Sequence, residues 1–219
     1  MLSGDGGGNT IGMILLVAGL GLVPFMVVTT TAFMKIAVVL FLIRNALGIQ
    51  QTPPNLVLYG IAIVLSVFLT SPVIGSVYAQ VSDRTLDYEN FEDWQTAAER
   101  AKIPLQQHLL KFTDEPARNF FYEATAEVWP KEAHEAASSD DLMILIPAFV
   151  ISELTRAFEI GFLLYLPFIV IDLIISNILL AMGMMMVSPL VISVPFKLFL
   201  FVLVDGWSRL LEGLVLSYQ

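Results

Sequence analysis

Leu142–Trp207 reads LMILIPAFVISELTRAFEIGFLLYLPFIVIDLIISNILLAMGMMMVSPLVISVPFKLFLFVLVDGW. The run is almost unbroken hydrocarbon, yet Glu153, Arg156, Glu159, Asp172, Lys197 and Asp205 are set into it, and a Met-Gly-Met-Met-Met run, Met182 to Met186, interrupts it. An ionisable group in apolar surroundings is costly unless it is paired or faces a bundle interior or water, so these charges point to assembly or passage. Glu153, Arg156 and Glu159 fall three residues apart and form a slanting stripe that can pair along a helix. Two acids and one base leave that stripe negative, and Lys197 is the expected cation from another element.

Leu142–Leu166 has a helical pattern that Pro167 is expected to break, and Phe168–Leu180 then continues with Asp172 alone in a hydrocarbon face. Gly183 and Pro189 bracket a turn, and Pro195–Val204 returns as a last apolar helix, so the stretch predicts a helical hairpin whose tip is the methionine run. Leu190–Val204 is shorter than the ~20 apolar residues of a bilayer crossing and contains Pro195 and Lys197, which requires burial between protein neighbours. Leu210, Leu211, Leu214 and Val215 mark an amphipathic tail.

Upstream, Ile11–Ile43 is long enough to cross a bilayer and reads as a retained segment, since Met1–Met34 holds no Lys or Arg to open a secretory signal. Thr29, Thr30 and Thr31 predict a bend, and Lys35 must snorkel or find an acid. Arg44–Asn55 has connector composition, with Gly48 closing a helix and Pro53-Pro54 unable to continue one. Leu56–Ala79 is the second apolar segment, with a kink expected at Pro72 or Gly75. Arg44, the only charge in the short loop, places that loop in the cytoplasm and the next segment outside.

That next segment, Gln80–Asp141, is polar. Phe91, Trp94, Ala98 and Ala101 predict one amphipathic helix, with Pro104 at its boundary. A second helix is expected after Thr113 or Asp114, with Pro116 in its first turn, Phe120, Phe121 and Ala124 on one face and Pro130 as the stop. A private core between these two helices is favoured slightly over contact with a neighbouring subunit. Ser138 and Asp141 fit a capping box at the mouth of the long apolar stretch.

At 57% hydrophobic and 14% charged residues over 219, with a mean hydropathy of +0.78, the chain reads as an integral membrane protein. The net charge of -9 sits mostly in the insert, which holds fourteen of twenty acids, so neither nucleic acid nor anionic lipid headgroups suit it as a partner. There is no cysteine, His108 and His134 lack metal-ligand spacing, and neither a cofactor nor a metal is expected. The expected organisation is all-α and a single domain: an N-terminal hydrophobic hairpin over 11–79, an extracytoplasmic insert over 80–141, gate-forming helices and tip over 142–207, and a tail over 208–219.

Three strings stand out together: RNALGIQQTPPN from Arg44, GMMM from Gly183 and PFKLFLFVLVDGW from Pro195. They resemble the FliP/SctR family, export-gate subunits of flagellar and injectisome type III secretion systems. Flagellar members commonly carry a cleavable signal peptide and a longer front end, neither of which is read here, so an injectisome-type member is expected. The resemblance implies a homopentameric helical ring in the bacterial inner membrane, joined by SctS/FliQ-type and SctT/FliR-type subunits and served by SctU/FlhB-type and SctV/FlhA-type components. It implies an assembled gate lifted into the periplasm, unfolded secreted proteins as cargo, Met184, Met185 and Met186 as a gasket, and a charge pair between Glu153 and Lys197.

Two readings of other classes fit the sequence less well. An ion- or proton-coupled transporter would use Glu153, Glu159 and Asp172 as relay carboxylates, but no inverted repeat is visible and the spans are few and short. An intramembrane enzyme finds no HExxH, GxSxG or cysteine motif, so none is expected.

Overall fold

The computed structural model describes residues 17, 21–22, 24–49, 51–82 and 91–219, of which 91–94 by backbone alone. Its helices are α1 (Pro24–Thr30), α2 (Phe33–Ala46), α3 (Asn55–Val81), α4 (Phe91–Phe112), α5 (Glu115–Val128), α6 (Lys131–Ala136), α7 (Leu142–Ala181), α8 (Pro189–Leu203) and α9 (Gly206–Leu216). The described residues are all-α. α3 and α7 are long and apolar enough to cross a membrane, and the count rises to four if the bent pairs α1–α2 and α8–α9 are each one span.

α7 is the spine. Its 40 residues extend about 60 Å at the helical rise, and α2, α4, α5 and α8 all pack along it. The buried positions Leu145, Ala148, Phe149, Ser152, Glu153, Ala157 and Gly161 recur at spacings of one, three and four, which is the stripe a helix buries. Gly161 lets α2 come close: a Cβ there would overlap the side chain of Leu42.

The helix does not break at Pro167, nor does α4 end at Pro104. A mid-helix proline removes one hydrogen bond and costs about 3 kcal/mol. On either side of Pro167, however, Gly161 and Phe168 are buried, and on either side of Pro104 so are Ala97, Leu109 and Phe112. Unwinding would expose these groups and free several backbone partners, so packing overrides the local preference. α3 likewise continues through Pro72.

The threonines act as anticipated. Thr29, Thr30 and Thr31 donate to the carbonyls of Phe25, Met26 and Val27 at 2.8, 2.6 and 2.5 Å, and α1 and α2 meet at 78° there. Residues 11–16, 18–20 and 23 of that apolar segment lie outside the described residues. Gly48, at φ +76°, follows the end of α2, but Arg44, Asn45 and Ala46 belong to the helix and not to the connector. Arg44 is buried and donates to Asn55 Oδ1 at 2.5 Å and to the Pro53 carbonyl at 3.3 Å. Both partners are neutral, so the guanidinium keeps the positive charge from which the cytoplasmic placement of this loop is argued.

In the insert, α5 starts after Asp114 with proline in its first turn, as expected. Three details differ. The side chains of Phe91 and Trp94 lie outside the description, while the buried face of α4 passes through Ala97, Leu109 and Phe112 and leaves Ala98 exposed. Among the described residues no private core joins the two helices, because α4 lies on α3 and α7 and α5 lies on α7, with Phe120 exposed. Each finds a larger apolar face on the spine than on the other. The cap of α7 is Asp141, not Ser138; the Asp141 carboxylate accepts from the Ser138 N–H at 2.8 Å, so only the return half of a capping box forms.

Gly161→Val should lower the stability of the detergent-solubilised chain by about 1–3 kcal/mol, the usual cost of overpacking, seen as an earlier melting transition. His108, on α4, packs its ring on Phe112 and Phe149, and burial, with Lys111 second, holds its pKa below the ordinary value. The unfolded chain therefore takes up this proton first as pH falls through about 6.5, and stability drops below that pH. His108→Gln should flatten the acid limb of the pH–stability curve.

Candidate functional site

Two charge clusters and one apolar tip are arranged along α7. The first cluster surrounds Glu153, whose side chain is 0% exposed. Lys35 of α2, equally buried, places Nζ 3.3 Å from Glu153 Oε1, and Arg156 Nη1 lies 3.5 Å from the same oxygen. The Tyr218 hydroxyl donates to Oε2, while the Tyr218 ring lies under Lys35 Nζ, 3.5 Å from its centroid. Arg156 also donates to the Phe112 carbonyl at 3.0 Å and pairs with Asp114 at the α4–α5 junction.

Two cations and two anions thus close to neutrality, with both oxygens of the buried carboxylate used. That balance is what lets charges leave water, since an uncompensated buried carboxylate would shed its charge or destabilise the fold. Ser152 extends the network, accepting from the Asp114 N–H at 2.9 Å. The cluster joins α2, α4, α5, α7 and the C-terminal segment at one point.

The second cluster is at Lys197 of α8, which is 2% exposed. Its Nζ lies 2.6 Å from Asp172 Oδ2 and donates to the Ala46 carbonyl at 2.9 Å. Ala46 ends α2, so the ammonium satisfies a carbonyl that the helix leaves open and sits at the negative end of its dipole. Lys197 does not pair with Glu153 within the chain. Lys35 supplies that cation, because the α2 helix lies directly along the Glu153 face while α8 meets α7 farther toward the tip.

Glu159 stays exposed with no ion pair among the described residues. Asp205 stands at the bend between α8 and α9, at φ +54°, and accepts from the Ser208 hydroxyl at 3.1 Å. Neither carboxylate joins a cluster.

At the far end, α7 closes in a turn. The Gly183 N–H donates to the Leu180 carbonyl at 3.0 Å and the Met184 N–H to Leu179 at 2.9 Å, which is the Schellman pattern. Gly183, at φ +75°, supplies the left-handed residue this needs, and Pro189 opens α8 at a position that requires no N–H. Met182, Met184, Met185 and Met186 are held in the turn with Met185 82% and Met186 102% exposed. They lie about 42 Å from Glu153 along the helix, so tip and charge cluster are separate features.

Tyr218 was not legible as a functional residue, although Leu210, Leu214 and Tyr218 continue one face at a spacing of four. Asp114 read only as a helix start. Lys35→Met should destabilise the chain by about 3–5 kcal/mol, since it strands a buried carboxylate, and Lys35→Met with Glu153→Leu should recover most of that loss. Tyr218→Phe should cost less, about 1.5–3 kcal/mol for a hydrogen bond to a charged group. Thermal unfolding in detergent would rank the three variants.

Residues 16–214 match the model of the FliP family. The chain is 58% identical over 206 residues to the probable translocation protein y4yL of Sinorhizobium fredii, covering 94% of this chain and 93% of that protein. It is 50% identical to Yop proteins translocation protein R of Yersinia pestis, over 96% of this chain and 97% of the relative. It is 46% identical to virulence protein YscR of Salmonella typhimurium, over 91% and 93%. With the family model matched over residues 16–214 and 46–58% identity to these relatives over more than nine-tenths of the chain, the chain belongs to the FliP family.

Proposed function

We propose that the chain is a gate-forming subunit of a type III protein-export apparatus in the bacterial inner membrane, passing unfolded proteins and carrying no reaction of its own. Several copies form a ring, five by the family resemblance, with SctS/FliQ-type and SctT/FliR-type subunits completing the gate. The observation that carries this reading is the tip: consecutive methionines exposed on a tight, well-capped turn. Such apolar groups call for cover by something outside the chain.

Methionine suits a seal that must open. Its unbranched, polarizable side chain fills irregular space and repacks around cargo of varied sequence, so tips converging on an axis would exclude water at rest and yield to a passing chain. The hairpin arms supply the rigid mount, fixed at α2 by the Lys197–Asp172 pair. α8 holds only 15 residues and buries Lys197, which suits a gate packed among protein neighbours and raised toward the periplasm.

A relay transporter is the weaker reading. Its carboxylates would need access to a moving proton or ion, whereas Glu153 has both oxygens engaged and Asp172 is held by Lys197.

Replacing Met184, Met185 and Met186 together by Gly should leave the complex assembled but permeable at rest. Ion leak across the inner membrane of cells carrying the variant would rise, with secretion retained or reduced. A gate that stayed tight to ions and secreted normally would overturn the seal.

A further inference from the structure

Glu159 on α7 and Arg209 on α9 are both exposed, and neither has an ion-pair partner among the described residues. Glu159 stands on an apolar face, flanked by Phe158 and Phe162 at 54% and 62% exposure, whereas Arg209 projects from the exposed polar side of α9 with Ser208, Glu212 and Gly213. A carboxylate among exposed phenylalanines is badly placed against hydrocarbon, so this face calls for a protein cover that brings a cation. Among the described residues neither Asp205 nor Glu212, one turn to either side of Arg209, forms an ion pair with it.

The heights of the two groups agree. The Tyr218 hydroxyl on Glu153 fixes the end of α9 beside that residue of α7. The Phe168 and Phe201 rings, 6.4 Å apart, and those of Phe201 and Trp207, 5.3 Å apart, fix its start near Phe168. Arg209 therefore falls within the stretch of α7, 153 to 168, that carries Glu159. Rotation about a ring axis keeps each group at its own height along that axis, so in a bundle standing along the axis only groups of like height meet across a head-to-tail contact.

We propose that Glu159 of one copy pairs with Arg209 of the next, and that this charge contact, beside Phe158 and Phe162, joins adjacent subunits. The inference rests on the ring reading above and adds to it the residues that hold the ring at the level of the buried Glu153 cluster. A second copy is the favoured occupant because the missing cation is on the same chain, at the same height, and does not reach Glu159 within it. A heterologous contact of this kind repeats around a ring without any other component.

The chain has no cysteine, which makes cross-linking clean. Glu159→Cys/Arg209→Cys in the full chain, expressed with its cognate secretion components and oxidised in the membrane, should give a ladder of multimers. A mixture of the two single variants should give dimers only, and either single variant alone should remain monomeric. Met185→Cys reports the ring independently, and with one thiol per chain its cross-link is a dimer: dimers from Met185→Cys with no ladder from the double variant overturn this contact and leave the ring, whereas no cross-link from either overturns both. Dimers from Glu159→Cys alone would mean a two-fold contact, and a band of this chain with a different protein would mean another component covers the face; each overturns the proposal.

Charge exchange gives a second readout that does not depend on disulfide geometry. Glu159→Arg and Arg209→Glu should each lower the yield of detergent-stable oligomer roughly tenfold, the size expected of one desolvated interface charge pair. The double exchange should restore most of it. No recovery in the double variant, with the monomer still folded, would overturn direct pairing.

Discussion

Everything in this chain leans on keeping one carboxylate charged out of water. Glu153 has no exposed surface, and the groups that make its burial tolerable come from four places: Lys35 on α2, Arg156 on α7 itself, Asp114 behind Arg156, and Tyr218 near the chain's end. A buried ion pair is weak evidence for added stability, because desolvation offsets attraction, but removing one partner is severe. The network therefore acts less as glue than as a specification. α2, α7, the α4–α5 junction and the C-terminal segment must arrive together or the charge is stranded.

The second cluster applies the same rule to the hairpin. Lys197 satisfies Asp172 and the open carbonyl of Ala46 at once, so the short α8 helix is set against both the spine and the end of α2. From there outward the character of the molecule changes. Beyond the charges the arms of the hairpin are aliphatic and aromatic, and an apolar cleft between α7 and α8, lined by Ile175, Ile178, Leu179, Ile192 and Phe196 among others, leads toward the methionine turn.

That division suits a gate. A seal made of flexible thioethers needs a mount whose position is not negotiable, and position is what neutral, fully bonded charge clusters provide. The exposed apolar faces of α3, α7 and α8 are more than a lone soluble chain tolerates, and a membrane or neighbouring subunits would cover them.

By itself the sequence determined the all-α architecture, the methionine hairpin with its glycine and proline, the threonine bend before α2, the start of α5 and the family. Each of these depends on residues close together in the chain, where periodicity, φ preference and hydrogen-bond reach operate over a few positions. Tertiary structure alone decided where the charges go. Lys35 and Tyr218 stand 118 and 65 residues from Glu153, and no local pattern announces such a meeting. It also decided that Pro104 and Pro167 stay helical and that α4 and α5 pack on the spine and not on each other, because the burial on both sides of each proline outweighs the one hydrogen bond it removes.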